Sequence, residues 1–336
     1  MIAFSSEESL VLNAIQKSIP CSRKPFDDLS FSIGIPSTEI LSILRDLKEK
    51  KIVRNISGIF SGENLGFVLS LVAFKVPPHR IDHAASIISS HPGVSHNYLR
   101  NHDYNIWFTL AEEDEASFKK AVEIIAAKSF VEDYLILKNE KLLKIGVFLD
   151  IADSGETLTF ENLSEKQFRK LSDIEKEAVR LLQIDMPLTE YPFDEIVKGS
   201  NIIKSPDELL SHFSSFLEKG IMRRYAAVLR HHKAGFSANA MTAWKIDEKF
   251  DEDIFKSCPD ISHLYYRTTY PGRWEYPLFA MIHARTREEL FSVIADLSHR
   301  SGIRDYLVLE SLKEFKKSRV KYFSQDFINW KRINYD

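Results

Sequence analysis

Cysteine is nearly absent. Cys21 and Cys258 are the only two in 336 residues, too few for a disulfide framework or a four-cysteine zinc site. They read as ordinary thiols of a reducing compartment. No apolar run approaches the roughly 18 residues that span a bilayer. Met1 to Pro20 carries Glu7 and Glu8 and no unbroken apolar core, so no signal peptide is expected and the expected location is the cytoplasm. No charge of one sign dominates either. Lys and Arg number 45 against 48 Asp and Glu, a formal net charge of −3, which gives no overall attraction for nucleic acid or an anionic membrane. A Gly-rich phosphate loop, H-E-x-x-H and G-x-S-x-G are all missing, and no spacing supports a Ser or Cys nucleophile.

What is there is ordinary globular composition, 44% apolar and 28% charged, with 23 Phe and 12 Tyr. These aromatics call for sizeable cores or a flat, aromatic-lined pocket. The chain also repeats itself once, at about half its length. Pro25-Phe26-Asp27-Asp28-Leu29 returns as Pro192-Phe193-Asp194-Glu195-Ile196. Ala73-Phe74-Lys75-Val76 returns as Ala243-Trp244-Lys245-Ile246, and Asp133-Tyr134-Leu135 as Asp305-Tyr306-Leu307. The longest echo pairs Pro92 to Arg100 with Pro259 to Arg267. Two homologous units follow one another, joined near Asp150 to Glu165.

Each unit predicts the same elements. Apolar spacing gives helices over 7–18, 27–31 and 37–50, the last with Ser37 as its N-cap. Residues 173–184, 193–199 and 206–219 repeat the pattern. Strand and helix signals then alternate: strand 67–76, helix 79–90, strands 93–100 and 104–111, helix 114–127, strand 131–138. In the second unit the matching segments are 236–246, 247–256, 260–268, 276–284, 286–299 and 304–310. The fold class is therefore α+β, a tandem duplication of a winged helix-turn-helix plus a ferredoxin-like βαββαβ domain. The expected boundaries are 1–56 and 57–148, a linker at 149–166, then 167–224, 225–323 and a tail at 324–336.

This plan is that of the Lrp/AsnC-type regulators, which makes a transcription factor or a ligand sensor one reading. The charges oppose it. A recognition helix needs Lys or Arg against phosphates, yet 37–50 offers Glu39 early, and 206–219 opens with Asp207 and Glu208. A structural helical cap is the better expectation, with no DNA partner.

Chemistry concentrates on the second strand of each sheet. Alternation puts Val94, His96, Tyr98 and Arg100 on one face, and Ile261, His263, Tyr265 and Arg267 on its counterpart. An unpaired Arg would be costly on the helix-packed face, so both stripes are expected on the open face. His102, Tyr104, Asn105 and Trp107 flank the first stripe; Tyr270, Trp274 and Tyr276 flank the second. Only the second unit adds a basic tetrad, Arg230-His231-His232-Lys233, where the first has Ser61-Gly62-Glu63-Asn64. Cations beside aromatic planes suit a flat ligand bearing several carboxylates.

At these residues the sequence resembles the siroheme decarboxylases, Lrp/AsnC-like enzymes of the alternative haem and haem d1 pathways. The first half is similar to one subunit type through Gly66-Phe67, the run Pro92 to Arg100, His102, and Tyr104 to Leu110. The second is similar to the partner type through Arg223 to His231, Ala234 to Met241, Ser262-His263, Tyr270-Pro271 and Met281-Ile282-His283. Departures are Asn55 and Ser57 in place of Arg and Gly, Ala226 in place of Gly, and Pro277 after Tyr276.

The resemblance implies a fused enzyme that removes carbon dioxide from the C12 and C18 acetates of sirohaem, giving 12,18-didecarboxysirohaem. It implies no cofactor and no metal beyond the iron carried by the substrate. His231 and His263, with Arg230, are the expected catalytic residues. His96, Tyr98, Arg100, Tyr104, Asn105, Trp107, Tyr265, Arg267, Tyr270 and Tyr276 are the expected substrate contacts, and His96, His231 or His263 is an axial contact to the substrate iron. A His titrating near pH 6.5 would deliver the proton. The expected partners are sirohaem and, among proteins, a second fused chain or related decarboxylase subunits, with no membrane.

Overall fold

A computed structural model of the chain describes residues 4–145, 170–229, 238–247 and 250–335. The expected linker at 149–166 and the basic tetrad, including Arg230 and His231, lie outside the described residues. The first half runs α1 (Ser6–Lys17), α2 (Pro25–Ile33), α3 (Ser37–Glu49), β1 (Val53–Phe60), β2 (Val68–Lys75), α4 (Ile81–Ser90), β3 (His96–Arg100), β4 (Ile106–Glu112), α5 (Glu115–Ser129) and β5 (Asp133–Ile145). The second runs α6 (Asp173–Leu182), α7 (Pro192–Val197), α8 (Pro206–Glu218), β6 (Met222–Leu229), β7 (Ala238–Trp244), α9 (Asp253–Lys256), β8 (Ile261–Arg267), β9 (Leu278–Ala284), α10 (Arg287–Ser301) and β10 (Tyr306–Lys317), closed by α11 (Gln325–Asn334).

The duplication is visible in how helices begin. Ser5 and Glu8 form a reciprocal capping box at α1, and Ser172 and Glu175 repeat it at α6. Pro25 and Pro192 open α2 and α7, where a missing N–H costs nothing. Ser37 is not the cap of α3. Pro36 occupies that position, and Ser37 is the first helical residue. Of the helix expected over 247–256, only Asp253–Lys256 is helical among the described residues.

The two helical units fuse into one body. β1 and β6 pair antiparallel, with Ile56 opposite Ala227 and Gly58 opposite Tyr225. These strands run across the boundaries expected at 56/57 and 224/225. Ser57 stands opposite Ala226, so two of the family departures meet at one register position, and Asn55 donates to the Ser57 hydroxyl at 2.8 Å. One core holds Phe26, Leu44, Phe193, Phe213 and Tyr225 from both units. Their charges pair across the same contact. Lys48 of α3 reaches Asp185 at 2.9 Å, Arg23 reaches Asp194 at 2.6 Å and Asp207 at 3.3 Å, and Arg45 donates to the Leu188 carbonyl.

The eight remaining strands close a barrel in the order β10-β3-β4-β2-β5-β8-β9-β7, with β7 pairing β10. Two long strands make the closure. In β5, Asp133 to Lys138 pair with β2 and Asn139 to Ile145 with β8. In β10, Tyr306 to Glu310 pair with β7 and Ser311 to Lys317 with β3. Each half thus finishes the other's sheet, and the two open faces become one interior. Outside, α4 and α5 pack over Val72, Phe74, Ile106 and Phe108, while α9 and α10 pack over Trp244, Leu264, Leu278 and Ile282.

The expected tail contains a helix. α11 lays Trp330 against the buried His91, ring centroids 4.0 Å apart, and Lys331 reaches Glu112 at 3.1 Å and Glu113 at 2.7 Å. His91 accepts from the Gly93 N–H at Nδ1, leaving Nε2 to face Glu112 at 3.0 Å. Among the described residues no helix is long and apolar enough to cross a membrane.

Candidate functional site

Strand alternation and one bulge decide what the barrel interior contains. Asn97 is buried toward α4, donating to the Ala85 carbonyl and to Ser89, each at 3.1 Å. Its neighbours His96, Tyr98 and Arg100 therefore point inward. In the second half Leu264 belongs to the core under α9 and α10, so His263, Tyr265 and Arg267 point inward too. Val94 and Ile261 do not share these faces. Val94 precedes the first residue of β3 and a bulge separates Ile261 from His263, and both apolar side chains pack on the helix side.

The two stripes match residue for residue. His96 stacks on Tyr98 with centroids 6.1 Å apart, and His263 on Tyr265 at 6.2 Å. The Arg100 guanidinium lies 5.3 Å from the Tyr98 ring, and that of Arg267 4.8 Å from Tyr265. Arg100 donates to the Leu309 carbonyl and the Ser311 hydroxyl of β10, and Arg267 to the Leu137 carbonyl of β5. Each holds the long strand that closes the barrel. The Nε–H of both is buried and unpartnered among the described residues, which leaves a charged donor in each wall. Trp107 and Phe279, in register with Tyr98 and Tyr265, form the floor.

Below that floor the barrel is filled. Trp107 packs on Trp274 at 5.3 Å, and His102 on Trp274 at 5.5 Å. The Tyr104 hydroxyl donates to Asp133 at 2.6 Å, and Arg273 of the other half grips the same carboxylate. The Tyr270 hydroxyl donates to the Ile136 carbonyl, and that of Tyr276 to Asp305. Asn105 is spent on the backbone, accepting from Val76 N–H and donating to Val76 C=O. The side chains of Tyr104, Asn105, Tyr270 and Tyr276 thus hold the two halves and their hairpins together. In this structure the polar atoms of all four are taken up by the protein itself.

The histidine end is different. Arg54 of β1 donates to the Lys317 carbonyl at the end of β10, opposite His96, and Arg224 of β6 to the Gln16 carbonyl. Arg223 acts electrostatically on His263, Tyr265 and Tyr322, and Arg319 sits with Arg54, Arg224 and Tyr322. Arg319 is exposed, and partial burial with Arg224 and Arg54 beside it lowers it to about 10. Glu63 and Glu314 are the nearby carboxylates. Sequence reasoning missed Arg54, Arg319 and Tyr322. The Arg223-Arg224 doublet was visible, but nothing local aimed it at the stripes.

This field decides protonation. Burial, then Lys317, Arg54 and Arg100, pull His96 down to about 4, with Glu314 opposing. Burial, then His283, His96, Arg223 and Arg267, pull His263 to about 4. Both imidazoles are therefore neutral at pH 7, not poised near 6.5 as expected. Arg100 and Arg267 fall to about 10 by burial and stay charged. Burial raises the Tyr98 and Tyr265 phenols, which stay protonated. An incoming polyanion would reverse the field and raise both histidines. The site suits a flat, carboxylate-rich molecule.

The AsnC-like ligand binding domain family matches residues 64–144 and 233–316, and the siroheme decarboxylase NirDL-like HTH domain family matches residues 8–54. The siroheme decarboxylase of Hydrogenobacter thermophilus is 38% identical over 331 residues, 97% of each chain. The crystal structure of the siroheme decarboxylase NirDL is 34% identical, with a TM-score of 0.79 over 98% of each chain. That of NirDL in co-complex with an iron-uroporphyrin III analogue is also 34% identical, with a TM-score of 0.78 over 97% of this chain and 98% of that one.

Proposed function

Because the chain belongs to the siroheme decarboxylase family, we propose that its barrel holds sirohaem and removes carbon dioxide from the C12 and C18 acetates. One observation carries this reading: the paired His-Tyr-Arg stripes, each with a buried Arg Nε–H that has no partner among the described residues, beneath a rim of arginines. Sirohaem is a flat macrocycle with eight carboxylates. Tyr98 and Tyr265 supply faces for the ring, backed by the buried Trp107 and Phe279, and Arg100 and Arg267 supply planar donors for its acid groups.

Decarboxylation breaks the bond between the acetate methylene and its carboxylate. The electron pair left behind delocalises into the conjugated ring, so no organic cofactor is needed, and the iron is the substrate's own. The protein has two tasks: to fix the acetate and to protonate the new methyl carbon. Arginine pairing does the first. Histidine does the second, contributing about 10²–10⁴-fold, with positioning and the cationic field supplying the rest. We assign this role to His263, and His231 and Arg230 keep theirs on the resemblance. His96 faces the ring from the other half. An Lrp-type regulator on this scaffold would need free cations on α3 and α8, and here Lys48 and Arg45 of α3 are engaged by Asp185 and the Leu188 carbonyl, while α8 opens with Asp207 and Glu208.

The enzyme is expected to act in the cytoplasm, alone or with a second copy or related subunit; molar mass in solution distinguishes these. The test of function is anaerobic incubation of the purified protein with sirohaem and mass spectrometry of the tetrapyrrole. Loss of two carboxyl groups supports the reading; sirohaem recovered intact overturns it.

A further inference from the structure

The two half-sites differ behind their histidines. In the first, the Ser95 hydroxyl bridges His96 Nδ1 at 2.9 Å and the Thr109 hydroxyl at 2.5 Å. In the second, the Ser262 hydroxyl bridges His263 Nδ1 at 2.8 Å and His283 Nε2 at 2.8 Å, both closer than the Met281 carbonyl at 3.4 Å. A hydroxyl has one proton and can donate to only one of two neighbours while accepting from the other. Ser95 therefore ends on a group that does not titrate near neutral pH. Ser262 connects two imidazoles.

We propose that Ser262 and His283 form a proton relay that keeps His263 neutral as it gives up its proton, making the second half-site the protonating one. This rests on the decarboxylase reading above. His263 Nδ1 is held by Ser262, so Nε2 is the ring nitrogen left to meet a ligand. As carbon dioxide departs, the Nε2 proton of His263 forms the new C–H bond. His263 Nδ1 takes the Ser262 hydroxyl proton, Ser262 Oγ takes the Nε2 proton of His283, and His283 takes one from solvent at Nδ1. The reverse shift, with His263 Nε2 taking a solvent proton and His283 Nδ1 returning one, restores the starting tautomers before the second acetate reacts. One solvent proton is consumed for each carbon dioxide released, and no imidazolate is left behind. The relay also explains how a neutral His263 serves as an acid: it gives one proton and gains another on its opposite nitrogen. His283 touches Ser262, not substrate, and is a positioning and relay residue. The bulge between Ile261 and His263 sets Ser262 beside β9, where its hydroxyl reaches His283.

The experiment is anaerobic single-turnover decarboxylation of bound sirohaem by the full chain, wild type and His283→Ala, Ser262→Ala and the double variant, with sirohaem affinity measured in parallel. Each single variant is expected to slow product formation about tenfold or more with affinity unchanged. The double variant should be no slower than the slower single, since both interrupt one path. Added imidazole should restore rate to His283→Ala and not to Ser262→Ala. A His283→Ala enzyme at wild-type rate, effects that multiply in the double variant, or slowing with no rescue by imidazole would each overturn the relay. Wild-type protein that leaves sirohaem intact would instead overturn the functional reading.

Discussion

Removing one wall arginine is the most direct perturbation of the barrel. In Arg100→Ala or Arg267→Ala the ligand loses a charged, planar donor whose Nε–H nothing else in the described protein uses. A hydrogen bond to a charged group contributes about 1.5–3 kcal/mol, which is about 10- to 150-fold in Kd. The protein loses something too. Arg100 holds the Leu309 carbonyl and Ser311, and Arg267 the Leu137 carbonyl at 3.0 Å, so each variant should also melt lower. Arg100→Lys and Arg267→Lys separate the two effects, because lysine keeps the charge and lacks the planar fork. They should recover part of the affinity and not all of it. The assay is anaerobic absorbance titration with sirohaem, alongside thermal unfolding and the single-turnover rate of the saturated enzyme, which should change less than the Kd. Wild-type titration curves for both alanine variants, with the fold intact, would refute the assignment of these arginines to the ligand.

Three further outcomes are expected. Free His96 and His263 titrate at about 4, and a polycarboxylate raises both, so binding takes up protons below their ordinary value of 6.5. Sirohaem affinity should then rise as pH falls from about 7 to about 5, and flat or falling affinity over that window contradicts the field described. Duplex DNA should show no binding in the specific range of about 10⁻⁸ M or tighter at physiological salt, measured by anisotropy; such binding would remove the structural account of the helical layer. Gly93→Ala would place a Cβ 2.0 Å from the Ala111 carbonyl oxygen, forcing the approach to His96 off β4 and costing about 1–3 kcal/mol. An unchanged melting temperature would contradict that contact.

Much of this architecture was legible because its signals are local. The helical apolar spacing, the strings of the internal repeat and the twice-written His-Tyr-Arg order each lie within a few residues, whereas the cap read at Ser37 belongs to Pro36. Barrel closure was not legible. The extensions that make it, Asn139 to Ile145 and Ser311 to Lys317, carry Lys141, Lys144, Lys313, Lys316 and Lys317 and read as polar strand ends. They are strands only because the other half offers them an edge. β1 and β6 escaped notice for the same reason. The Val94 and Ile261 assignments failed at a strand start and a bulge, which shift alternation without a composition cue. The rim was hidden because Arg54, Arg223 and Arg319 lie far apart along the chain. The neutrality of both histidines follows from burial and that convergence, and neither can be read from spacing.

The exchange of long strands has a consequence for how the molecule comes to exist. A half made alone would carry two raw sheet borders, one along β3 and one along the outer part of β5, each a template for unwanted pairing. Separate halves of unlike chemistry could also meet their own kind, giving barrels with two first-half or two second-half walls and no reactive pair. Writing both halves into one polypeptide makes the correct meeting intramolecular, independent of concentration. Every chain that folds then presents one wall of each type, in equal number.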